Sequence, residues 1–99
     1  MRVIAKRTLR EFWNSKPQYA DAEDPLSAWY AVCIRASWNG PSDLKEKFRS
    51  ASFVGKNVVF NIAGNKYRLV VNLSYSRQAI FVKFVGTHKQ YDAIDVEAL

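Results

Sequence analysis

The chain has 99 residues, a formal net charge of +6, 48% apolar residues and 14% aromatic ones. That suffices for one modest core and argues against a disordered chain, while the longest apolar runs fall far short of a bilayer span. One cysteine and one histidine exclude an internal disulfide and a four-ligand His/Cys zinc site.

Residues 1–4 read as a short first strand, with Val3 and Ile4 its apolar members. Ala5, Leu9, Phe12 and Trp13 then recur at i, i+4, i+7 and i+8, the stripe of an amphipathic helix, with Lys6, Arg7 and Arg10 on its other side. Asn14-Ser15-Lys16-Pro17 ends it, because proline cannot continue a helix interior. A second helix is signalled by Asp24-Pro25, an N-cap acid before a proline at the first helical position. Leu26, Trp29, Tyr30 and Cys33 form its apolar face, and Trp38-Asn39-Gly40-Pro41 closes it. Cys33 on that face reads as a small core residue. Leu44 and Phe48 mark one or two further helical turns, and residues 50–55 read as a connection into a sheet.

Three runs then alternate apolar and polar with period two: Val58, Phe60, Ile62; Tyr67, Leu69, Val71, Leu73; and Ile80, Val82, Phe84. Each predicts a strand with one buried face. Gly64-Asn65 suits a two-residue primed turn that pairs Ile62 with Tyr67, Phe60 with Leu69 and Val58 with Val71. A turn at Ser76-Arg77 pairs Leu73 with Ile80, Val71 with Val82 and Leu69 with Phe84, although these residues are poor primed-turn formers and a longer loop is the alternative. Tyr91, Ile94 and Ala98 suggest one face of a short closing helix capped by Thr87 or His88. The expected architecture is α+β: two N-terminal helices on one face of a small, mainly antiparallel sheet, then a short C-terminal helix, in one domain over residues 1–99.

Function is expected on the opposite face, which an antiparallel sheet can leave open to solvent. In the same register Asn61 lies opposite Arg68, Asn57 opposite Asn72, and Lys83 opposite Val70. Between Lys47 and Tyr91 there is no Asp or Glu, while eight lysines and arginines fall inside, so the sheet half of the molecule is basic and favours a polyanionic or acidic partner. No nucleophile elbow, phosphate loop, metal or nucleotide motif is present, and no cofactor is expected. What remains is a set of Arg68, Lys83, His88 and Tyr91, ringed by Lys56, Asn61, Lys66, Arg77 and Lys89, with Phe81 as a platform on which a base can stack. Cutting RNA needs a base for the 2′-hydroxyl, cations for the phosphorane and an acid for the leaving 5′-oxygen. His, Lys, Arg and Tyr can supply all three, each positioned acid or base contributing about 10²- to 10⁴-fold. A non-catalytic RNA-binding module and a plain protein-interaction subunit are the alternatives.

The hairpin Phe60-Asn61-Ile62-Ala63-Gly64-Asn65-Lys66-Tyr67-Arg68 and the ending Gly86-Thr87-His88-Lys89-Gln90-Tyr91-Asp92 together resemble HigB-type toxins of type II toxin-antitoxin systems, in the RelE superfamily. The resemblance covers the sheet specifically; the N-terminal helices agree in length, order and character. It implies a RelE-like fold and an endoribonuclease that cuts mRNA, in most relatives on the translating ribosome. It also implies a HigA-like antitoxin with a helix-turn-helix domain, through which alone the toxin would meet operator DNA. On this resemblance Arg68 and Lys83 lie near the scissile phosphate, and His88 and Tyr91 match the terminal His and Tyr. Ribosomal RNA would attract the basic sheet, and an antitoxin's acidic residues would block it. A cytoplasmic location, with no membrane contact, is the expectation.

Overall fold

In the computed structural model, which describes residues 1–99, the chain runs β1 (Arg2–Ile4), α1 (Lys6–Ser15), a 3-10 segment (Pro17–Ala22), α2 (Glu23–Arg35), α3 (Pro41–Lys47), β2 (Ser52–Val54), β3 (Asn57–Ile62), β4 (Tyr67–Ser74), β5 (Ala79–Thr87), α4 (His88–Asp92) and a closing 3-10 turn (Val96–Ala98). The five strands form one sheet in the order β1-β5-β4-β3-β2, antiparallel throughout except for β1, which lies parallel to β5. One sheet face, carrying Val58, Phe60, Ile62, Tyr67, Leu69, Val71 and Ile80, packs against Leu9, Trp13, Leu26, Trp29, Cys33 and Leu44 from the helices. The α+β layering therefore arises from the two periodicities. Burial pushes the Cys33 thiol up to about 12, as its place in the core requires.

Two boundaries move. The 3-10 segment that starts at Pro17 feeds straight into α2, so Asp24 and Pro25 sit in the first turn rather than at the cap, where Glu23 and Asp24 face the positive helix end. At its other end α2 stops at Arg35, because Ala36 is already extended; this frees Trp38 to bury its ring edge-on to Phe48, centroids 6.0 Å apart. Residues 52–54, expected to be connection, are an edge strand instead. They pair Phe53 with Val58 after a turn at Gly55, whose φ of +58° favours glycine.

The register of β3 on β4 is the expected one, from Asn57 opposite Asn72 to Ile62 opposite Tyr67. Its turn places the left-handed residues one position early, at Ala63 (φ 55°) and Gly64 (φ 70°), with the Lys66 amide donating to the Ala63 carbonyl. Between β4 and β5 the longer loop forms, closed by the Gln78 amide on the Tyr75 carbonyl. Leu73 pairs with Ile80 and Val71 with Val82, but Val70 then pairs with Phe84 and Leu69 with Val85. Lys83 is the extra residue of a β-bulge, so it does not oppose Val70, and Phe84 does not oppose Leu69. One added residue exchanges the faces of everything beyond it. Val85 thus reaches the main core, and Phe84 turns to the other side.

That other side is not fully open, which corrects the expected solvated face. Val59, Val70 and Val96 form a second small core there, with Val54, Phe84, Tyr91, Ile94 and Leu99 packed against it. The tail is held by Asn57, wholly buried, whose Nδ2 donates to the Val96 carbonyl at 2.8 Å and to that of Leu99 at 3.4 Å. The closing helix through Ala98 does not form: α4 ends at Asp92, Ala98 is exposed, and Val96 is the tail's buried anchor.

Candidate active site

Strand β5 passes into α4 without a loop because Thr87 and Gln90 form a capping box. The Thr87 hydroxyl accepts from the Gln90 amide at 3.1 Å, and Gln90 Oε1 accepts from the Thr87 amide at 2.9 Å. His88 is consequently the first residue of α4, and Tyr91 lies three positions on, over the same side of the turn. Gly86, just before the cap, pairs with Arg68 on β4. A Cβ there would lie 2.6 Å from the Phe84 ring and 2.7 Å from Gln90 Oε1, so only a bare backbone lets β5, Phe84 and Gln90 close up at this point.

The result is a cluster. The Arg68 guanidinium carbon lies 5.0 Å from the centre of the Tyr91 ring, a cation–π contact, and one Nη donates to Asn65 Oδ1 at 3.2 Å. Arg68 Nε is buried with no acceptor. The His88 ring stands edge-on to Tyr91 with centroids 6.5 Å apart, and its Nε2 lies 3.4 Å from Asp92 Oδ1. Both side chains of that pair remain accessible, at 45% and 65%. Three of the four expected catalytic residues, Arg68, His88 and Tyr91, are therefore brought together. Asp92 and Asn65 join them without having been singled out; the i, i+4 spacing of His88 and Asp92 was the signal for the first, and nothing in the turn sequence marked the second.

Lys83 stands apart. It is exposed at the bulge, three residues along β5 from Gly86 and so roughly 10 Å away by strand rise, and no hydrogen bond or ion pair joins it to the cluster. Of the surrounding residues, Lys66 is engaged elsewhere: it pairs with Asp21, which also accepts from the Tyr67 hydroxyl. The hydrogen bonds from Lys66 and Tyr67 hold the Asp21 carboxyl below the usual carboxylate range, and the bond to Asp21 raises the Lys66 ammonium. Burial, then Asp21, pushes the Tyr67 phenol up. Asn61 is half-buried opposite Arg68, and Phe81 half-buried opposite Asn72, both in the expected register. Lys56 and Lys89 are exposed, whereas Arg77 lies in the β4–β5 loop, at the far end of β4 from Arg68.

A family model described as the RelE-like toxic component of a toxin-antitoxin system, the HigB toxin, matches residues 22–94, a span that holds the whole cluster. The chain belongs to the HigB toxin family. Relatives of this HigB-family chain include the mRNA interferase toxin HigB of Escherichia coli strain K12 and the mRNA interferase HigB proteins of Escherichia coli O157:H7 and Shigella flexneri. Each is 28% identical over 95 residues, covering 93% of this chain and 88% of the relative. In chemical terms the HigB cluster sets an always-charged planar donor, a phenol, an imidazole and a carboxylate at one sheet corner. That combination suits binding a phosphate and moving protons beside it.

Proposed function

We propose that this chain is an endoribonuclease that cleaves mRNA on the translating ribosome and so stops translation and growth. The observation that carries the reading is the Arg68 guanidinium laid on the Tyr91 ring with His88 beside it. Family membership and the acid-free stretch from Lys47 to Tyr91 support it.

In this mechanism the 2′-hydroxyl of the substrate loses its proton and attacks the adjacent phosphorus. The bond to the 5′-oxygen breaks, and that oxygen takes up a proton, leaving a 2′,3′-cyclic phosphate and a 5′-hydroxyl. Arg68 faces the non-bridging oxygens, where charge builds in the transition state; losing one such donor typically lowers the rate about 10²- to 10³-fold. His88 and Tyr91 exchange the two protons, with Asp92 behind the imidazole. An anion also provides an acceptor for the unsatisfied Arg68 Nε, a buried donor whose lack of a partner costs about 1–3 kcal/mol. Lys83, Lys56 and Lys89 hold flanking RNA, Asn61 and Phe81 contribute contacts on the same face, and Lys66 and Arg77 act as outlying positive charge.

The partners of this reading are mRNA, ribosomal RNA and a HigA-like helix-turn-helix antitoxin, with operator DNA reached only through that antitoxin, all in the cytoplasm. The test is inducible expression of wild type, Arg68→Ala and His88→Gln, with primer extension on a translated message and on the same message lacking its start codon. Cuts that require translation and both side chains are expected. RNA binding without cuts would make the chain a binding module instead, and His88→Gln that cuts normally would remove the histidine from the mechanism.

A further inference from the structure

On the helix side of the sheet two clefts of about 350 and 280 Å³ meet at Val32, the second ending at the β3 edge by Asn61, the strand neighbour of Arg68. Together they form one trough along α2. Its floor is apolar, made by Trp29, Val32, Trp38 and Phe48, and the only charged residues lining it are Arg35 and Lys47, both cations. Trp29 is 3% exposed, yet its indole Nε1 donates to no acceptor. A buried donor left in that state is unusual, and Trp29 itself borders the second cleft. On the α2 side the backbone groups are bonded within the helix, and the facing β3 edge is open only over Phe60–Ile62, beyond its pairing with β2, so an added β-strand has only three residues to pair with. The shape and chemistry fit an amphipathic helix better, apolar along one stripe and acidic beside it, laid along about three turns of α2.

We propose that this trough is the docking site for such an acidic amphipathic helix of the antitoxin. The proposal rests on the toxin reading above and assigns the antitoxin a surface distinct from the one that cuts. Charge alone directs an acidic partner to the basic sheet face. The trough adds what charge lacks, buried aromatic floor, which is where binding energy concentrates at interfaces. Because α2 packs on the sheet face opposite Arg68, a helix seated there leaves the Arg68, Tyr91 and His88 cluster uncovered.

The three tryptophans supply the test. Trp29 and Trp38 line the trough, and Trp13 does not. The purified full chain, carrying His88→Gln if wild type cannot be produced alone, is labelled with nitrogen-15 and titrated with its purified antitoxin. The Trp29 and Trp38 indole signals are expected to shift while Trp13 stays in place, each assigned by a single Trp→Phe variant. In parallel, Val32→Glu and the double variant Arg35→Glu/Lys47→Glu are expected to weaken antitoxin binding at least tenfold by calorimetry, with RNA cleavage at the wild-type rate. The double variant changes only exposed side chains, so it decides the matter if Val32→Glu fails to fold. Unmoved Trp29 and Trp38 signals in a saturated complex would overturn the proposal. So would undiminished binding by the double variant, or a loss of binding confined to Arg68→Ala. If wild type binds through the trough but cuts no RNA, the nuclease reading fails and the docking site stands.

Discussion

Gly86→Ala tests whether the corner between β5 and α4 is as tight as its contacts indicate. Gly86 does not occupy a left-handed conformation, so alanine brings no backbone strain, only volume. Its Cβ would sit 2.6 Å from Phe84 Cζ and 2.7 Å from Gln90 Oε1, against 3.4 Å for ordinary contact, a shortfall of about 0.8 Å at the ring. Phe84 belongs to the second core and cannot swing into solvent without opening it. Gln90 can move only by releasing the Thr87 amide, which breaks the capping box. Overpacking of this kind costs about 1–3 kcal/mol, and at this chain length about 2 kcal/mol lowers Tm by roughly 8–16 °C. Since the same box aims His88 and Tyr91, cleavage measured well below the new Tm is expected to fall as well, by about 10²-fold for a misplacement near 1 Å. Thermal melts by circular dichroism and cleavage assays at 20 °C report the two effects separately. An unchanged Tm with undiminished cleavage would refute the packing argument.

Asn57→Ala is expected to cost about 1–3 kcal/mol, because it removes the donor that holds the Val96 carbonyl in a buried site; hydrogen exchange should then show early opening of residues 91–99. Asp21→Asn probes the clasp on the β3–β4 hairpin. A carboxyl held below its ordinary value of 3.8 stabilises the fold above that pH, and the contribution is lost as pH falls through the lower, folded-state value. Wild type should therefore melt higher than Asp21→Asn at pH 6, with the gap closing below pH 3.8, and a gap that persists at pH 2 would contradict the assignment. Cys33, fully buried with its thiol pushed up to about 12, should resist a thiol reagent in the native state and react promptly in denaturant.

The register of β3 on β4 was legible because two apolar alternations flank Gly64, and only one pairing keeps both on the same face. So was α1, whose stripe ends at a proline. The bulge was not legible: in Ile80-Phe81-Val82-Lys83-Phe84-Val85, either Phe84 or Val85 can continue the buried series, and only the packing on both faces decides. The covering of the second face was hidden for a different reason. Val96 and Asn57 are 39 residues apart, and neither residue type announces such a contact. At the site, the pattern brought Arg68, His88 and Tyr91 to one end of the sheet but gave no view of the guanidinium on the phenol ring. Lys66 read as a free cation because Asp21, its partner, comes from a segment with no periodic signal.

The bulge at Lys83 gives β5 two phases. Up to Val82 the even-numbered residues face the helices; past the bulge Val85 does so while Phe84 meets the tail, and the change of phase falls at the one unpaired residue. Chain length and side-chain chemistry are thus separable at this position. Replacing Lys83 leaves the count intact and removes only a charge. Deleting it would set Phe84 straight after Val82 in plain alternation, so Phe84 would keep its place opposite Val70 and Val85 opposite Leu69, and only the local bend and twist of the bulge would be lost.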